Sequence, residues 1–500
     1  MSSSGGASPV SIGVDLGTQS VKVLAVDLDG RVLAEAARPL TSTRDGVRHE
    51  QDPQEWLAAT VAATADAVGR LDAAQRAAIA AVSLCGTSGT VIEVDAAGRP
   101  VGPAIMYDDA RAAAEAAEVA AADPARWDRL GYRIQPSWGV TTIVHAARQG
   151  LPAGHRFAHQ PDVVAAAMCG GPVATDWSSA LKSGYDLLEL AWPTDVLSGL
   201  GVDPGTLPEV VAPGAPLGAV GADWAERTGI AAGTPVVGGM TDGCASQLGA
   251  GAIGEGDWHC VIGTTLVLKG VTATPLKDDG GAVYSHRSPV PGRWLPGGAS
   301  SVGAGALAAL LPGADLAGLT AQAQQLWDKG AAVVPAYPLT GTGERFPFVR
   351  PDAQGFALVD GVERELSVLG YGADAYLSVI VGVAALERTC LDVLASAGGS
   401  VDGRYSTSGG GTRSDLWNQV RADLLERPVT IPRSAEPAVG AAILAASSIV
   451  GAETESDWTA LVRRMSGVAA VVEPRPESSE RLLQVHGRLA DAWRARGWLA

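Results

Sequence analysis

The 500-residue sequence is poor in cysteine, in lysine and in long apolar runs. Its 5 cysteines are widely scattered and form no C-x-x-C pair, which argues against a disulfide framework or a zinc site and favours a reducing compartment. No run of 18 apolar residues occurs, so no membrane-spanning helix is predicted. Residues 1–9 lack the charged and apolar regions of a signal peptide and are predicted to be a short disordered lead. The protein is therefore expected to be soluble and cytoplasmic.

Positive charge is also scarce. There are 37 Lys and Arg residues against 54 Asp and Glu residues, a formal net charge of −17, and the basic residues form no cluster. Phosphate-backbone binding needs such clusters, so a nucleic-acid partner is not expected. The absence of any Gly-Lys dipeptide excludes a P-loop. A small anionic ligand stays possible, because backbone amides or a metal ion can hold one.

What the sequence does contain is an alternation of strands and helices, which predicts an α/β architecture. The segments IGVDLGTQSVKVLAV and HCVIGTTLVLKGV, about 250 residues apart, each predict a β-hairpin with Gly-Thr at its bend. A repeated hairpin indicates a repeated domain. We therefore predict two domains, with the boundary near residue 246: residues 10–246 and residues 247–500.

The first candidate site is the bend of the first hairpin, where Asp15 ends a buried strand and Gly17, Thr18 and Gln19 follow. Glycine allows a tight bend in which successive N–H groups converge on an anion, and a strand-end carboxylate suits a hydrated Mg²⁺. A plain surface hairpin with an Asx-type turn is an equally good interpretation of these residues alone.

The second candidate is Asp242, which stands among glycines between a short strand and a predicted helix. Reactive groups of α/β folds lie at such strand ends, and this carboxylate could accept a proton from a substrate hydroxyl. The simpler interpretation is that Thr241 or Asp242 caps the helix.

Two glycine-rich segments follow predicted strands. Gly409, Gly410 and Gly411 precede a helix, so they allow close approach of a flat or phosphorylated ligand, or else form a flexible connection. In the segment CGTSGT, Ser88 is nearly placed as in a G-x-S-x-G nucleophile elbow, but Thr90 stands at the final glycine position. Ser88 is better interpreted as a pocket residue or a turn residue.

Taken in order, these motifs resemble the FGGY family of carbohydrate kinases, whose fold is actin-like. The resemblance covers about residues 10–450 and rests on IGVDLGTQSVK, HEQDPQEW, CGTSGTV, MYDDAR, GGMTDGCASQLGAG, VIGTT, SGGGTRSDLWNQ and PAVGAA. It implies two actin-like (ribonuclease H-fold) domains with an interdomain catalytic cleft. The N-terminal domain would bind the sugar and the C-terminal domain the nucleotide.

The resemblance also implies residue roles, with ATP and Mg²⁺ as cofactors. Asp242 would be the catalytic base, and Asp15, Ser88 and Asp242 would contact the sugar, with Asp15 near the metal. The residues expected near the phosphates and the nucleotide are Gly17, Thr18, Gln19, Gly263, Thr264, Thr265, Gly409, Gly410 and Gly411.

The substrate expected from the resemblance is a ketopentose, phosphorylated at a terminal hydroxyl. Gly86-Thr87-Ser88-Gly89-Thr90 stands where xylulose kinases typically read G-Q-M-H-G, and looks like a D-ribulose kinase-like group. D-Ribulose is therefore the expected sugar. The alternatives are D-xylulose, a pentitol or glycerol, a non-enzymatic actin-like ATPase or sugar sensor, and, more distantly, a serine hydrolase using Ser88. The expected partners are small molecules only, in a monomer or homodimer.

Overall fold

The computed structural model describes residues 8–278 and 280–499. By packing, the chain divides into two units, each assembled from separate stretches of sequence. Of the described residues, the first unit comprises those within 1–253, 286–293 and 434–467, and the second comprises those within 254–285, 294–433 and 468–500.

Strands and helices alternate throughout, as the sequence predicts. The strands up to residue 253 are β1 (Val10–Leu16), β2 (Ser20–Asp27), β3 (Val32–Pro39), β4 (Thr43–Asp45), β5 (Arg48–Gln51), β6 (Ile79–Gly86), β7 (Val91–Val94), β8 (Ala104–Ile105), β9 (Arg156–His159), β10 (Thr175–Asp176), β11 (Val210–Val211), β12 (Pro216–Ala219) and β13 (Pro235–Val237). The later strands are β14 (Trp258–Ile262), β15 (Leu266–Gly270), β16 (Tyr284–Arg287), β17 (Trp294–Ala299), β18 (Ala336–Tyr337), β19 (Phe356–Val359), β20 (Val362–Arg364), β21 (Tyr405–Ser408), β22 (Val429–Pro432) and β23 (Val468–Val472).

The α-helices are numbered in the same way. They are α1 (Pro53–Gly69), α2 (Ala73–Ala77), α3 (Ala113–Ala122), α4 (Pro124–Leu130), α5 (Gly139–Gln149), α6 (Gln160–Cys169), α7 (Trp177–Ala180), α8 (Thr194–Gly199), α9 (Ala222–Thr228), α10 (Asp242–Gly249), α11 (Gly305–Leu310), α12 (Leu316–Asp328), α13 (Ala373–Ser396), α14 (Asp415–Leu425), α15 (Pro437–Val450), α16 (Glu455–Ser466) and α17 (Pro476–Ala495).

The main sheet of the first unit has the strand order β12-β13-β6-β1-β2-β3. Strands β1, β2 and β3 form an antiparallel meander, whereas β1, β6 and β13 run parallel. Parallel strands place their carboxyl ends at one edge of a sheet, where α/β folds bind their ligands. This edge carries both carboxylates that the sequence singles out.

The main sheet of the second unit repeats that arrangement. In its order β16-β17-β15-β14-β21-β22-β23, β14 and β15 form an antiparallel hairpin, β14, β21 and β22 run parallel, and β23 returns antiparallel at the edge. From β17 to β23, each strand has its counterpart in the order β3-β2-β1-β6-β13-β12. The predicted repeat of a hairpin is therefore a repeat of a whole sheet.

Helix α15 explains why a late segment belongs to the first unit. A Cβ atom on Gly13 of β1 would lie 1.9 Å from the carbonyl oxygen of Ala438, and one on Gly440 would lie 1.9 Å from that of Ala245 in α10. Only glycine permits backbones to pack this closely. The expected domains, residues 10–246 and 247–500, follow chain order, whereas packing places residues 434–467 with the first unit.

Several short strands lie in segments without a strong strand pattern. Strand β9 pairs with β7 at the edge of a smaller sheet. Strands β12 and β23 pair with β13 and β22 at the edges of the two main sheets. These strands are short or exposed at sheet edges, so they lack the buried apolar runs from which strands are predicted.

Candidate active site

Asp15 and Asp242 stand at neighbouring strand ends of the first unit. In the register, Asp15 of β1 lies opposite Cys85 of β6, and the next residue of β1 lies opposite Gly86. Gly86 in turn forms a parallel bridge with Thr241, the residue before Asp242. The carboxyl ends of three adjacent strands thus bring the two predicted carboxylates together.

The electrostatics of Asp15 reflect this crowding. Burial, reinforced by the negative charge of Asp242, raises the pKa of Asp15 to about 7. The Cys85 thiol, whose Sγ lies 3.6 Å from Asp15 Oδ1, opposes this rise in the pKa by hydrogen bonding. Two neighbouring carboxylates disfavour each other's ionised form, so together they can share a proton or hold a cation.

The backbone around Asp15 is that of a regular hairpin. Asp15 pairs across the strands with Lys22, and the bend is closed by a bond from Gly17 N–H to the Ser20 carbonyl, 3.0 Å. Asp15 thus lies within a strand, which goes against the Asx-turn interpretation. Lys22 forms an ion pair with Glu436, 2.6 Å.

Asp242 is the first residue of helix α10. Thr241 occupies the N-cap position, but its side chain accepts no capping hydrogen bond. Instead, Thr241 Oγ1 lies 3.0 Å from Ser178 Oγ, which also accepts from Thr241 N–H. Asp242 Oδ1 accepts from Gly243 N–H at 2.6 Å. The simple capping interpretation does not hold for Thr241.

The bend formed by Gly17, Thr18 and Gln19 is held from outside the hairpin. Gln51 donates through Nε2 to the Thr18 carbonyl at 2.7 Å and accepts from Trp56 Nε1 at 2.7 Å. The sequence motif HEQDPQEW contains both residues, but sequence reasoning gave Gln51 no role. A bonded glutamine of this kind fixes where the bend presents its backbone amides.

Ser88 follows strand β6 at the same sheet edge. Its hydroxyl oxygen is buried without a hydrogen-bond partner among the described residues. Since no histidine reaches it there, the serine-hydrolase alternative loses its base. Two residues that sequence reasoning missed meet this turn: Gln160 Oε1 accepts from Thr87 N–H at 2.9 Å, and Lys182 Nζ donates to the Ser88 carbonyl at 3.1 Å.

In the second unit, Gly263, Thr264 and Thr265 form the bend between β14 and β15. Gly263 N–H bonds to the Thr265 carbonyl at 3.0 Å, which closes the bend. The segment before α11 braces it, since Ala304 N–H bonds to the Gly263 carbonyl and Gly305 N–H to the Thr264 carbonyl. The bend is therefore a fixed feature built by two parts of the chain.

Gly409, Gly410 and Gly411 follow strand β21 directly beside that bend. Gly409 has φ of +91°, and a Cβ on it would lie 2.4 Å from the Ile262 carbonyl oxygen. A Cβ on Gly410 would meet no atom within 4 Å. Gly410 thus leaves open space over a strand end, and Ser414 caps α14 just beyond by accepting from Trp417 N–H.

The residues of the two units form two separate sets. The first unit brings together Asp15, Gly17–Gln19, Ser88 and Asp242, and the second brings together Gly263–Thr265 and Gly409–Gly411. Among the described residues, no group of three or more His, Cys, Asp or Glu side chains could enclose a metal ion. A pair of carboxylates nevertheless fits Mg²⁺, which keeps several waters and needs only one or two protein carboxylates.

Two α/β sheets of matching strand order, each with a Gly-Thr bend beside its parallel strands, define the duplicated ribonuclease H-like fold expected from the sequence. Residues 10–249 match the N-terminal domain of the FGGY family of carbohydrate kinases, and residues 259–449 match its C-terminal domain. The chain belongs to this family, and it is an ATP-dependent sugar kinase. This goes against the alternative of a non-enzymatic ATPase or sensor.

Individual relatives extend over almost the whole chain. A xylulose kinase from Streptomyces rubiginosus is 29% identical, with 97% of this chain and 96% of the relative covered. A xylulose kinase from Escherichia coli is 27% identical, with 95% and 98% covered. The crystal structure of a xylulose kinase from Rhodospirillum rubrum superimposes with a TM-score of 0.83 at 26% identity, covering 97% of this chain and 98% of that one.

Within residues 8–278 and 280–499, no helix combines the length and the apolarity that a bilayer span requires.

Proposed function

We propose that this kinase transfers the γ-phosphate of ATP to the terminal hydroxyl of a ketopentose, with D-xylulose as the first candidate. The names of the two relatives and of the solved structure reported above support D-xylulose. The expectation of D-ribulose rested on the segment Gly86–Thr90, which lacks the histidine typical of xylulose kinases. D-Ribulose is therefore the second candidate.

The observation that supports the chemistry best is the carboxylate pair at adjoining strand ends. Asp242, the first residue of helix α10, takes the proton of the sugar hydroxyl on its carboxylate. The hydroxyl oxygen then forms a bond to the γ-phosphorus as the bond from that phosphorus to the β–γ bridging oxygen breaks. ADP leaves with the electron pair, and the sugar phosphate remains.

Asp15 would hold a hydrated Mg²⁺, with Asp242 nearby. When bound, this cation neutralises negative charge on the phosphates and so favours transfer. It also suits the site, because a positive charge lowers a carboxyl pKa that burial and Asp242 raise to about 7.

The phosphates need little side-chain charge in this arrangement. Gly17 N–H and Gly263 N–H close the two bends, so the backbone amides of Thr18 and Gln19 in the first unit, and of Thr264 and Thr265 in the second, would donate hydrogen bonds to phosphate oxygens. Gly410, the glycine of Gly409–Gly411 that faces open space, would leave room for the nucleotide. This accounts for a kinase with a net charge of −17 and no cluster of lysines.

The test is a sugar panel in a coupled assay of ADP release. D-Xylulose, D-ribulose, xylitol, ribitol and glycerol are each titrated at saturating ATP and Mg²⁺. We expect the highest kcat/KM with D-xylulose, and D-ribulose next. A preference for glycerol or a pentitol over both ketopentoses, or ADP release indifferent to sugar, would contradict the proposal.

A further inference from the structure

Unused hydrogen-bond donors gather around the turn Thr87-Ser88-Gly89 of the first unit. Gln160 is fully buried, and its Nε2 has no hydrogen-bond partner among the described residues. Its orientation is fixed, because Oε1 accepts from both Thr87 N–H and Thr87 Oγ1. The amide N–H₂ group is therefore a buried donor without an acceptor. Such a group destabilises the folded protein unless an acceptor satisfies it.

Ser88 adds a second unused group to the same turn. Its Oγ is buried and lacks a partner within the described parts of the chain. Gly89, with φ of +105°, lets the backbone turn against the side chain of Lys182, whose Cδ would lie 3.1 Å from a Cβ at that position. The turn thus carries the Ser88 hydroxyl, which has no hydrogen-bond partner among the described residues, and the Lys182 side chain packs against Gly89.

Lys182 completes the set. It is half-buried, and its Nζ donates to the Ser88 carbonyl at 3.1 Å. Among the described residues it has no carboxylate within ion-pair distance, although it is one of only five lysines in the chain. A partly buried ammonium group with two donors left over calls for further acceptors.

The position of this turn relates the donors to the carboxylates. Gly86, the residue before Thr87, lies opposite Leu16 and bridges to Thr241, so the turn begins beside Asp15 and Asp242. The edge of the sheet therefore offers proton acceptors at one place and proton donors a few residues away. A ligand that matches both has a hydroxyl at one end and an oxygen that only accepts hydrogen bonds farther along.

We propose that Lys182, with Ser88 and Gln160, recognises the carbonyl oxygen of a ketose and so makes this kinase select ketoses over the corresponding polyols. This rests on the proposed function and specifies its substrate class. A carbonyl oxygen brings no proton, whereas a polyol hydroxyl brings one that lysine and the glutamine amide cannot accept. Sites built for one hydrogen-bonding pattern reject analogues that leave their polar groups unpaired.

The test compares D-xylulose with xylitol, and D-ribulose with ribitol, in the wild type and in Lys182→Met. We expect the wild type to favour each ketose over its polyol by at least about 10-fold in kcat/KM. Lys182→Met loses about 10- to 100-fold on the ketose and less than about 3-fold on the polyol, since the ammonium group bonds a carbonyl oxygen better than a hydroxyl that brings a proton of its own. Lys182→Arg, which keeps a donor and the charge, retains more of the preference. The KM for ATP stays within about 2-fold in all three proteins.

Ser88→Ala provides a second variant with a distinctive signature. Removing a buried hydroxyl that has no partner should leave the melting temperature unchanged or raise it. The same change should weaken ketose binding, measured by calorimetry without ATP, by about 3- to 10-fold. A purely structural role for Ser88 predicts the opposite pattern, with lower stability and unchanged binding.

The outcomes distinguish failure of the carbonyl assignment from failure of the proposed ketopentose kinase function. An equal loss on ketose and polyol in Lys182→Met would overturn the carbonyl assignment while leaving the proposed function intact. If ketopentoses bind the wild type but are not phosphorylated, the proposed function fails, and calorimetry on Lys182→Met still decides the recognition. Absence of ketopentose binding to the wild type would overturn both.

Discussion

The two units use one sheet design with different residues at the same positions. In the first unit, the strand end before the bend carries Asp15, paired across the hairpin with Lys22. In the second unit, the corresponding pair is Val261 and Val267. The backbone of the hairpin is therefore shared, whereas the pair at this position is charged in the first unit and apolar in the second.

The neighbouring parallel strands differ in the same sense. Strand β6 runs into a turn with polar side chains, Thr87 and Ser88, whereas β21 runs into Gly409, Gly410 and Gly411. Side chains that donate or accept hydrogen bonds suit a substrate hydroxyl. Glycine backbone, which has no side chains, suits the close approach of a nucleotide. The comparison teaches that, after duplication of a fold, a few side chains at strand ends are enough to divide the tasks.

The largest expected effect comes from Asp242→Asn in the first unit. Loss of the base should lower kcat about 10³-fold with little change in sugar KM, because general-base catalysis contributes about 10²- to 10⁴-fold. Asparagine can still accept from Gly243 N–H, so the start of α10 should be preserved. Steady-state kinetics with circular dichroism measures this, with Asp223→Asn on the exposed side of α9 as the control. Near-normal turnover in a folded Asp242→Asn protein would remove the base from the account.

Asp15→Asn should have the next largest effect, about a 10²-fold loss of kcat, with a weaker response to Mg²⁺. Its effect on stability has the opposite sign. Because the folded pKa of Asp15, about 7, is raised above its unfolded value of 3.8, the ionised carboxylate costs stability increasingly as pH rises through 7. The apo variant should therefore melt higher than the wild type at pH 8 and similarly at pH 4. A variant that is less stable at pH 8 would show that Asp15 is structural.

In the second unit, Gly410→Val tests whether the glycine segment Gly409–Gly411 leaves room for the nucleotide. The new side chain meets open space in the protein, so the fold should tolerate it, but it would occupy room proposed for the nucleotide. We expect the KM for ATP to rise about 10-fold while the sugar KM stays unchanged, as a steric clash of about 1.4 kcal/mol would produce. Gly341→Val in the same unit, also facing open space, is the matched control. A rise in sugar KM instead would break the division of tasks.

The smallest effects concern stability against pH, where buried groups of the two units act in opposite directions. Burial lowers the pKa of His259 in the second unit to about 3, so its stabilising contribution is complete above pH 6.5 and is lost as pH falls towards 3. Burial raises the pKa of Asp176 in the first unit to about 6, so its contribution is present below pH 4 and is lost as pH rises through 6.

Urea unfolding at pH 4.5, 5.5 and 7.5 measures this contrast. The variant His259→Gln should remove up to about 1.4 kcal/mol per pH unit of acid sensitivity between pH 6 and pH 4. Asp176→Asn should remove the loss in the free energy of unfolding that Asp176 causes as pH rises from 4 to 6, an effect of the opposite sign. Identical pH slopes in the wild type and both variants would contradict these assignments.

Much of the site follows from sequence because its residues adjoin strong local signals. Asp15 and Asp242 each stand at the end of a buried apolar strand next to glycine, and parallel strand ends meet at one edge. The bends at Gly17 and Gly263 are similarly marked by apolar strands on both sides. These features depend on local pattern, and the structure contains them where the pattern predicts.

The rest depends on contacts between distant segments. The return of residues 434–467 to the first unit rests on Gly13 and Gly440, whose close packing no local pattern reveals. Gln160 and Lys182 reach the Ser88 turn from other elements, separated by 73 and 94 residues from their bonding partners. The rarity of lysine was the only signal in the sequence that could have drawn attention to Lys182.

The division of tasks between the units is tested most directly by ADP binding to Asp242→Asn and Gly410→Val, measured by calorimetry in the presence of Mg²⁺. The account predicts that inactive Asp242→Asn binds ADP within about 2-fold of the wild type, whereas Gly410→Val binds it about 10-fold more weakly. Weak ADP binding by Asp242→Asn together with unchanged binding by Gly410→Val would contradict it.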